Sequence, residues 1–129
     1  MGCGSGILAI LASKKGASEV TAIDIDEWSY NNTVENADLN GIENITPFCG
    51  DSGLLRAQQF DTILANIQRN ILLEDMKEYH KVLKRGGHLV MSGFYLQDLD
   101  ILTEKASELG LKLVSSEERS NWCAALFVK

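Results

Sequence analysis

Along this chain, short runs of apolar and β-branched residues alternate with longer stretches whose apolar positions return at helical spacing. Glu19 to Asp24 (EVTAID) reads as a buried strand. Glu27 to Leu39 reads as a helix, with Trp28, Val34 and Ala37 on or near one face and Asn40-Gly41 as its stop. Ile45 to Phe48 is a second, weaker strand, and its Pro47, the only proline, places it toward a sheet edge. Phe60 to Ile67 (FDTILANI) is a stronger strand, followed by a helix from Ile71 to Leu83 that Arg85-Gly86-Gly87 ends. His88 to Phe94 (HLVMSGF) is another strand, and Leu99 to Leu109 a helix closed by Gly110. The tail departs from the alternation: Lys112 to Ser116 and Trp122 to Val128 are strand-like runs joined by a polar turn, which predicts an antiparallel hairpin. The whole pattern is that of an α/β domain.

A length of 129 residues fits one domain, and 45% hydrophobic with 23% charged residues is the composition of an ordinary globular protein. At this size roughly two thirds of the unfolded chain's surface can be buried, enough for a stable core. The formal charge of −6 and the lack of a Lys/Arg cluster argue against nucleic acid as a direct partner, because phosphate binding needs a basic face. Cys3, Cys49 and Cys123 are odd in number, far apart and outside any metal-ligand spacing, so no metal is expected and a reducing cytoplasm fits best. The longest apolar stretch, Ile7 to Ala12, is far short of the roughly 18 to 20 residues that span a bilayer, so no membrane partner is expected.

The candidate chemistry begins at the glycine-rich start, Gly2-Cys3-Gly4-Ser5-Gly6, which runs straight into the helical stretch Ile7 to Ala12. Three glycines in five residues let a backbone come close to a ligand and leave N–H groups pointing outward at the helix start. The same glycines also suit a tight turn that needs them only for packing. A dinucleotide site wants GxGxxG, and here Ile7 stands where that pattern puts its third glycine, so an NAD-type reading is the weaker one. A P-loop is absent too, since no GKS or GKT follows.

Asp24 ends the next strand, 22 residues after Gly2, where a carboxylate can accept from the vicinal hydroxyls of a ribose held above the glycine turn. Asp26 reads instead as the cap of the following helix, with Glu27 in its first turn. Asp51 follows the third strand-like run and suits either the exocyclic amine of a purine or a turn with Ser52-Gly53. Ile25 offers an apolar face to a base or a side chain to the core.

Taken together, Gly2 to Gly6, the strand ending in Asp24, Asp51 and Leu64-Ala65-Asn66-Ile67 resemble a class I S-adenosylmethionine-dependent methyltransferase. Within that superfamily the chain is most similar to the catalytic domain of the ribosomal protein L-eleven methyltransferases, over almost its whole length. The carriers are GCGSGILAI, NADLNG, LANI, the stop Leu83 to Gly87, LVMSGF and the closing ERSNWCAA. The resemblance implies a Rossmann-like α/β sheet of order 3-2-1-4-5-7-6 with the seventh strand reversed. It implies S-adenosylmethionine as cofactor, with Gly2, Gly4 and Gly6 along its methionine and ribose, Asp24 on the ribose and Asp51 facing the adenine amine. Asn66 would sit where the target amine and the sulfonium meet, as both a cofactor-binding and the catalytic residue. Asn66 also has a case of its own: it ends a central strand, the edge at which open α/β sheets bind ligands, and its carbonyl can orient an amine. A turn asparagine is the alternative. The implied activity is methylation of lysine or terminal amines of a large-subunit ribosomal protein. A non-catalytic or NAD-type nucleotide-binding module, or a methyltransferase for a small-molecule acceptor, is the competing reading.

The family's first strand runs into the glycine loop, whereas here only Met1 precedes Gly2. The expectation is therefore one methyltransferase domain over residues 1–129, a C-terminal fragment of a longer protein lacking most of that strand. Self-association that covers the gap is an accompanying expectation.

Overall fold

The computed structural model describes residues 1–129, the side chain of Ala57 apart. Contacts gather into two compact units, Met1–Leu54 and Leu55–Lys129, each described in turn.

In the first unit, helix α1 (Ile7–Lys14) leads to strand β1 (Val20–Asp24), helix α2 (Glu27–Leu39) and strand β2 (Ile45–Cys49). The two strands pair in parallel, Val20 opposite Ile45 through Asp24 opposite Cys49, with both helices against β1. A parallel pair cannot be joined by a tight turn, and α2 is the crossover that joins this one. Asp26 starts α2 as expected, its Oδ1 accepting from the Trp28 N–H at 2.9 Å, with Glu27 in the first turn. The helix ends at Gly41, whose φ of 65° lets the Ile42 N–H turn back to the Ala37 carbonyl at 3.0 Å. The expected buried face needs correction. Thr33 and Ala37 are buried, but Trp28 is 75% exposed and Val34 lies at the surface.

The second unit holds strand β3 (Phe60–Asn66), helix α3 (Arg69–Val82), strand β4 (Leu83–Tyr95), helix α4 (Leu99–Glu108) and strands β5 (Lys112–Arg119) and β6 (Trp122–Val128). Its sheet has the order β3-β4-β6-β5, with β3 and β4 parallel and β6 antiparallel to both of its neighbours. The hairpin is there, with a tighter turn than the sequence suggests. Ser120 and Asn121 alone connect the strands, both at positive φ (52° and 69°), the handedness that matches the twist of a two-residue hairpin. Residues 83–87, read above as a helix stop, belong to β4: Leu83 sits opposite Phe60, and the Gly86 N–H donates to the Lys129 carbonyl at 2.8 Å.

Register sorts the side chains of this sheet into two faces. Ile63, Leu89 and Phe127 form one row and Ala65, Met91 and Ala125 the next, all on the face buried under α3 and α4. Leu72, Met76 and Tyr79 of α3 and Leu102 and Ala106 of α4 complete this core, fully shielded from solvent. The Tyr79 hydroxyl donates to Asp75 Oδ2 at 3.2 Å, and burial pushes the phenol well above its ordinary range. The opposite face carries Asn66, Ser92 and Ala124.

Because Phe127 is fully enclosed while Leu113 stands on an exposed edge strand, their truncations separate core from surface. Phe127→Ala lowers unfolding free energy by about 3–5 kcal/mol and Leu113→Ala by less than about 1 kcal/mol, measured by urea denaturation at unchanged m.

Candidate functional site

The glycine turn is built by its backbone and clamped from α2. Gly2, Gly4 and Gly6 all have positive φ (65°, 53° and 80°), a region costly for residues with a Cβ. The turn closes through the Gly6 N–H, which donates to the Cys3 carbonyl at 2.7 Å, and it leans on β1 through the Cys3 N–H, which donates to the Ile23 carbonyl at 3.2 Å. The Thr33 hydroxyl lies within hydrogen-bond distance of both the Gly4 carbonyl (3.2 Å) and Cys3 Sγ (3.3 Å), and Asn36 Nδ2 donates to the Ser5 carbonyl at 2.8 Å. Burial pushes the Cys3 thiol up, so it packs in the turn as a neutral group.

Gly4 and Gly6 do different work. A Cβ on Gly6 would come within 3.0–3.1 Å of Thr33, side chain and Cα alike, so this glycine exists for close packing of the turn on α2. A Cβ on Gly4 would meet nothing within 4 Å. Gly4 is therefore the glycine with an open approach, and its N–H is already oriented, donating to Asp24 Oδ2 at 2.9 Å.

Asp24 is the hub of this unit. Besides the Gly4 bond, its Oδ1 accepts from the Asp26 N–H at 3.1 Å, and its backbone carbonyl accepts from the Gly50 N–H at 2.8 Å. Each carboxylate oxygen has two acceptor positions, so one internal bond per oxygen leaves capacity for a pair of hydroxyls. Ile25, directly after it, is 80% exposed and so is not a core residue. Asp51 performs the turn role: its Oδ1 accepts from the Gly53 N–H at 2.8 Å, and its carbonyl accepts from Leu54 N–H at 3.2 Å.

Asn66 lies in the second unit, at the C-terminal end of β3 and exposed. Beyond it the Ile67 N–H donates to the Ser92 carbonyl at 3.1 Å. Gly93, at φ 86° in a bulge of β4, is what makes room: a Cβ there would lie 3.0 Å from Ile67 backbone atoms and 3.1 Å from Asn66 Oδ1. Asn66 opens onto a cavity of 480 Å³ whose lining includes Ser92 and Ala124, the charged Glu117, Glu118 and Arg119, and Trp122. Among the described residues no group of three His, Cys, Asp or Glu side chains could hold a metal ion, all three cysteines are free, and no helix is long and apolar enough to cross a membrane.

Sequence reading missed the clamp residues Thr33 and Asn36 and the spacer Gly93. The one local signal was a β-branched threonine in a helix, where propensity disfavours it and a tertiary role is the usual reason. Gly93 was visible only as a glycine inside a strand, which marks a bulge or a close backbone approach.

A turn rich in positive-φ glycines at a helix start, tied to an acid at the tip of the adjoining strand, is the Rossmann-like nucleotide-binding arrangement. The particular branch follows from comparison: residues 1–129 match the family model described as Ribosomal protein L11 methyltransferase (PrmA), and the chain belongs to that family. It is 57% identical over 128 residues to the ribosomal protein L11 methyltransferase of Porphyromonas gingivalis and 51% identical over 129 residues to that of Phocaeicola vulgatus. These matches cover 98% and 99% of the chain but only 44% and 46% of the relatives, so the chain spans under half their length. The crystal structure of a ribosomal protein L11 methylase from Lactobacillus delbrueckii subsp. bulgaricus superposes with a TM-score of 0.94 at 32% identity, covering 99% of this chain and 66% of that one.

The division of labour among the glycines is measurable. Gly4→Ala, strained only by its φ, costs about 1 kcal/mol of stability; Gly6→Ala, which adds a clash with the α2 backbone, costs at least about 2 kcal/mol more. Thermal unfolding of the two variants checks the order.

Proposed function

We propose that this chain is the cofactor-holding part of an enzyme that uses S-adenosylmethionine to methylate lysine or terminal amines of a large-subunit ribosomal protein. The observation that supports the reading is the Asp24 carboxylate bonded to the Gly4 N–H, an acid able to accept hydroxyls beside a glycine of the turn that has open space around it. The residues fit the cofactor's parts. Gly4 presents open backbone and Gly2, also at positive φ, continues the turn along the methionine and ribose, Gly6 keeps the turn close on α2, Asp24 receives the ribose hydroxyls and exposed Ile25 offers an apolar face to the adenine. Asp51 stands near the adenine amine in this reading, fixed in orientation by its own turn.

When bound, the cofactor supplies an already electrophilic methyl group on sulfur. The protein's share is then to deliver a neutral amine in line and to exclude water. Asn66 serves that end, since its carboxamide oxygen accepts an amine N–H and so aims the nitrogen lone pair. It takes no proton itself. A lysine ammonium titrates near 10.4, so losing that proton belongs to the barrier. The family membership supports the ribosomal-protein acceptor, and the cytoplasm is where such an acceptor is made and assembled.

S-adenosylhomocysteine at about 100 times its Kd stabilises the chain by about 3 kcal/mol and raises Tm by several degrees. NAD at the same concentration has no such effect, and Asp24→Ala removes the protection by S-adenosylhomocysteine. Equal protection by NAD in differential scanning fluorimetry contradicts the reading.

A further inference from the structure

The second unit carries, on the sheet face opposite its helix-covered core, a line of side chains fixed by strand register. Asn66 of β3 pairs with Ser92 of β4, Ser92 with Ala124 of β6, and Ala124 with Glu117 of β5. Residues directly opposite share a face, so these four stand in a row, three strand spacings or about 14 Å from end to end. The two middle members are small. The result is a groove with a low floor, a carboxamide at one end and a carboxylate at the other, and all four residues line the same 480 Å³ cavity. Trp122, stacked on Tyr95 with ring centroids 4.4 Å apart, forms a wall of that cavity.

Two carboxylates adjoin the groove, and the fold uses one of them. Glu118 pairs with Cys123 and borders the same cavity, but its Oε1 accepts from the Asn121 N–H and holds the hairpin turn. Glu117 is exposed and, among the described residues, is held by no ion pair or side-chain hydrogen bond. An edge strand benefits from charge as a guard against unwanted pairing, but Lys112, Glu118 and Arg119 already provide it on β5. Glu117 differs from them by its place in line with Asn66. Glu118 and Arg119 line the same cavity, so its charged lining is two carboxylates and one guanidinium, a net negative balance that repels phosphate and favours a basic polypeptide over a nucleic acid.

We infer that this groove seats an extended, basic acceptor segment, with the amine to be methylated at Asn66 and a second cationic side chain of the same segment on Glu117. Residues four apart in an extended chain are separated by about 13 Å, which matches the length of the row. Ser92 and Ala124 leave space for the intervening backbone, and the Trp122 indole packs along the aliphatic stem of the second cation. Only the assignment of the first amine rests on the methyltransferase reading; the cation position at Glu117 stands on the groove itself.

Two capped peptides test this, Lys-Gly-Gly-Gly-Lys and Gly-Gly-Gly-Gly-Lys, titrated while following Trp122 fluorescence in a Trp28→Phe background, Trp28 being the other tryptophan and 75% exposed. The two-lysine peptide binds about fivefold more tightly, as one partly exposed charge pair allows. Glu117→Gln erases that difference and leaves the one-lysine peptide unchanged, whereas Glu35→Gln, which removes an exposed charge from α2, alters neither. Equal losses in the two variants, no binding of either peptide at millimolar concentration, or tighter binding of an oligouridylate than of the two-lysine peptide each overturn the inference. S-adenosylhomocysteine titrated into the same samples separates the two levels: its failure to bind sinks the methyltransferase reading and leaves the peptide result to decide the groove.

Discussion

The bond between the Gly4 N–H and the Asp24 carboxylate is the constraint on which the first unit's chemistry depends. It joins two elements that the chain separates by 20 residues, a glycine turn at the start of α1 and the tip of β1. A hydrogen bond to a charged group is stronger than a neutral one, and this one fixes both partners in place before any ligand arrives. Thr33 and Asn36 hold the turn from the other side, so its conformation is set by three separate attachments. Preorganisation of this kind lowers the ordering cost of binding. It also explains why Gly6 and Gly4 are both glycine for unrelated reasons, one for packing and one for access.

In the second unit the equivalent constraint is strand register. Residues from Asn66 to Ala124 are aligned because β3, β4, β6 and β5 pair in one order, and the glycine at the Gly93 bulge keeps side-chain atoms clear of Asn66. The face beneath α3 and α4 is apolar and closed, while the opposite face carries the polar row. Alternation along a strand thus assigns one set of residues to the core and the next to the open face.

Much of this was legible in the chain itself. β-branched runs followed by helical spacing mark the alternation, Asp26 before an acidic first turn marks the start of α2, and the polar break near Ser120 marks the hairpin. Trp28 misled because a large apolar residue is read as buried, whereas individual exposed aromatics are ordinary at protein surfaces. Residues 83–87 misled because two glycines after a helix look like a stop, and only pairing with Phe60 and Lys129 draws them into β4. The clamp by Thr33 and Asn36 and the alignment of Glu117 with Asn66 are long-range facts whose one local trace is a β-branched threonine within a helix. The meeting of Gly4 with Asp24 was legible because the spacing between them reflects one strand and one helix of ordinary length.

The central claim is that Gly4 and Asp24 together form the floor of a nucleoside site. Amide-resolved NMR during titration with S-adenosylhomocysteine tests it most directly. The account predicts saturable shifts at Gly4, Ile25 and Asp26 with the same apparent Kd, and still resonances along α4. Saturable binding that leaves Gly4 and Ile25 unmoved contradicts it.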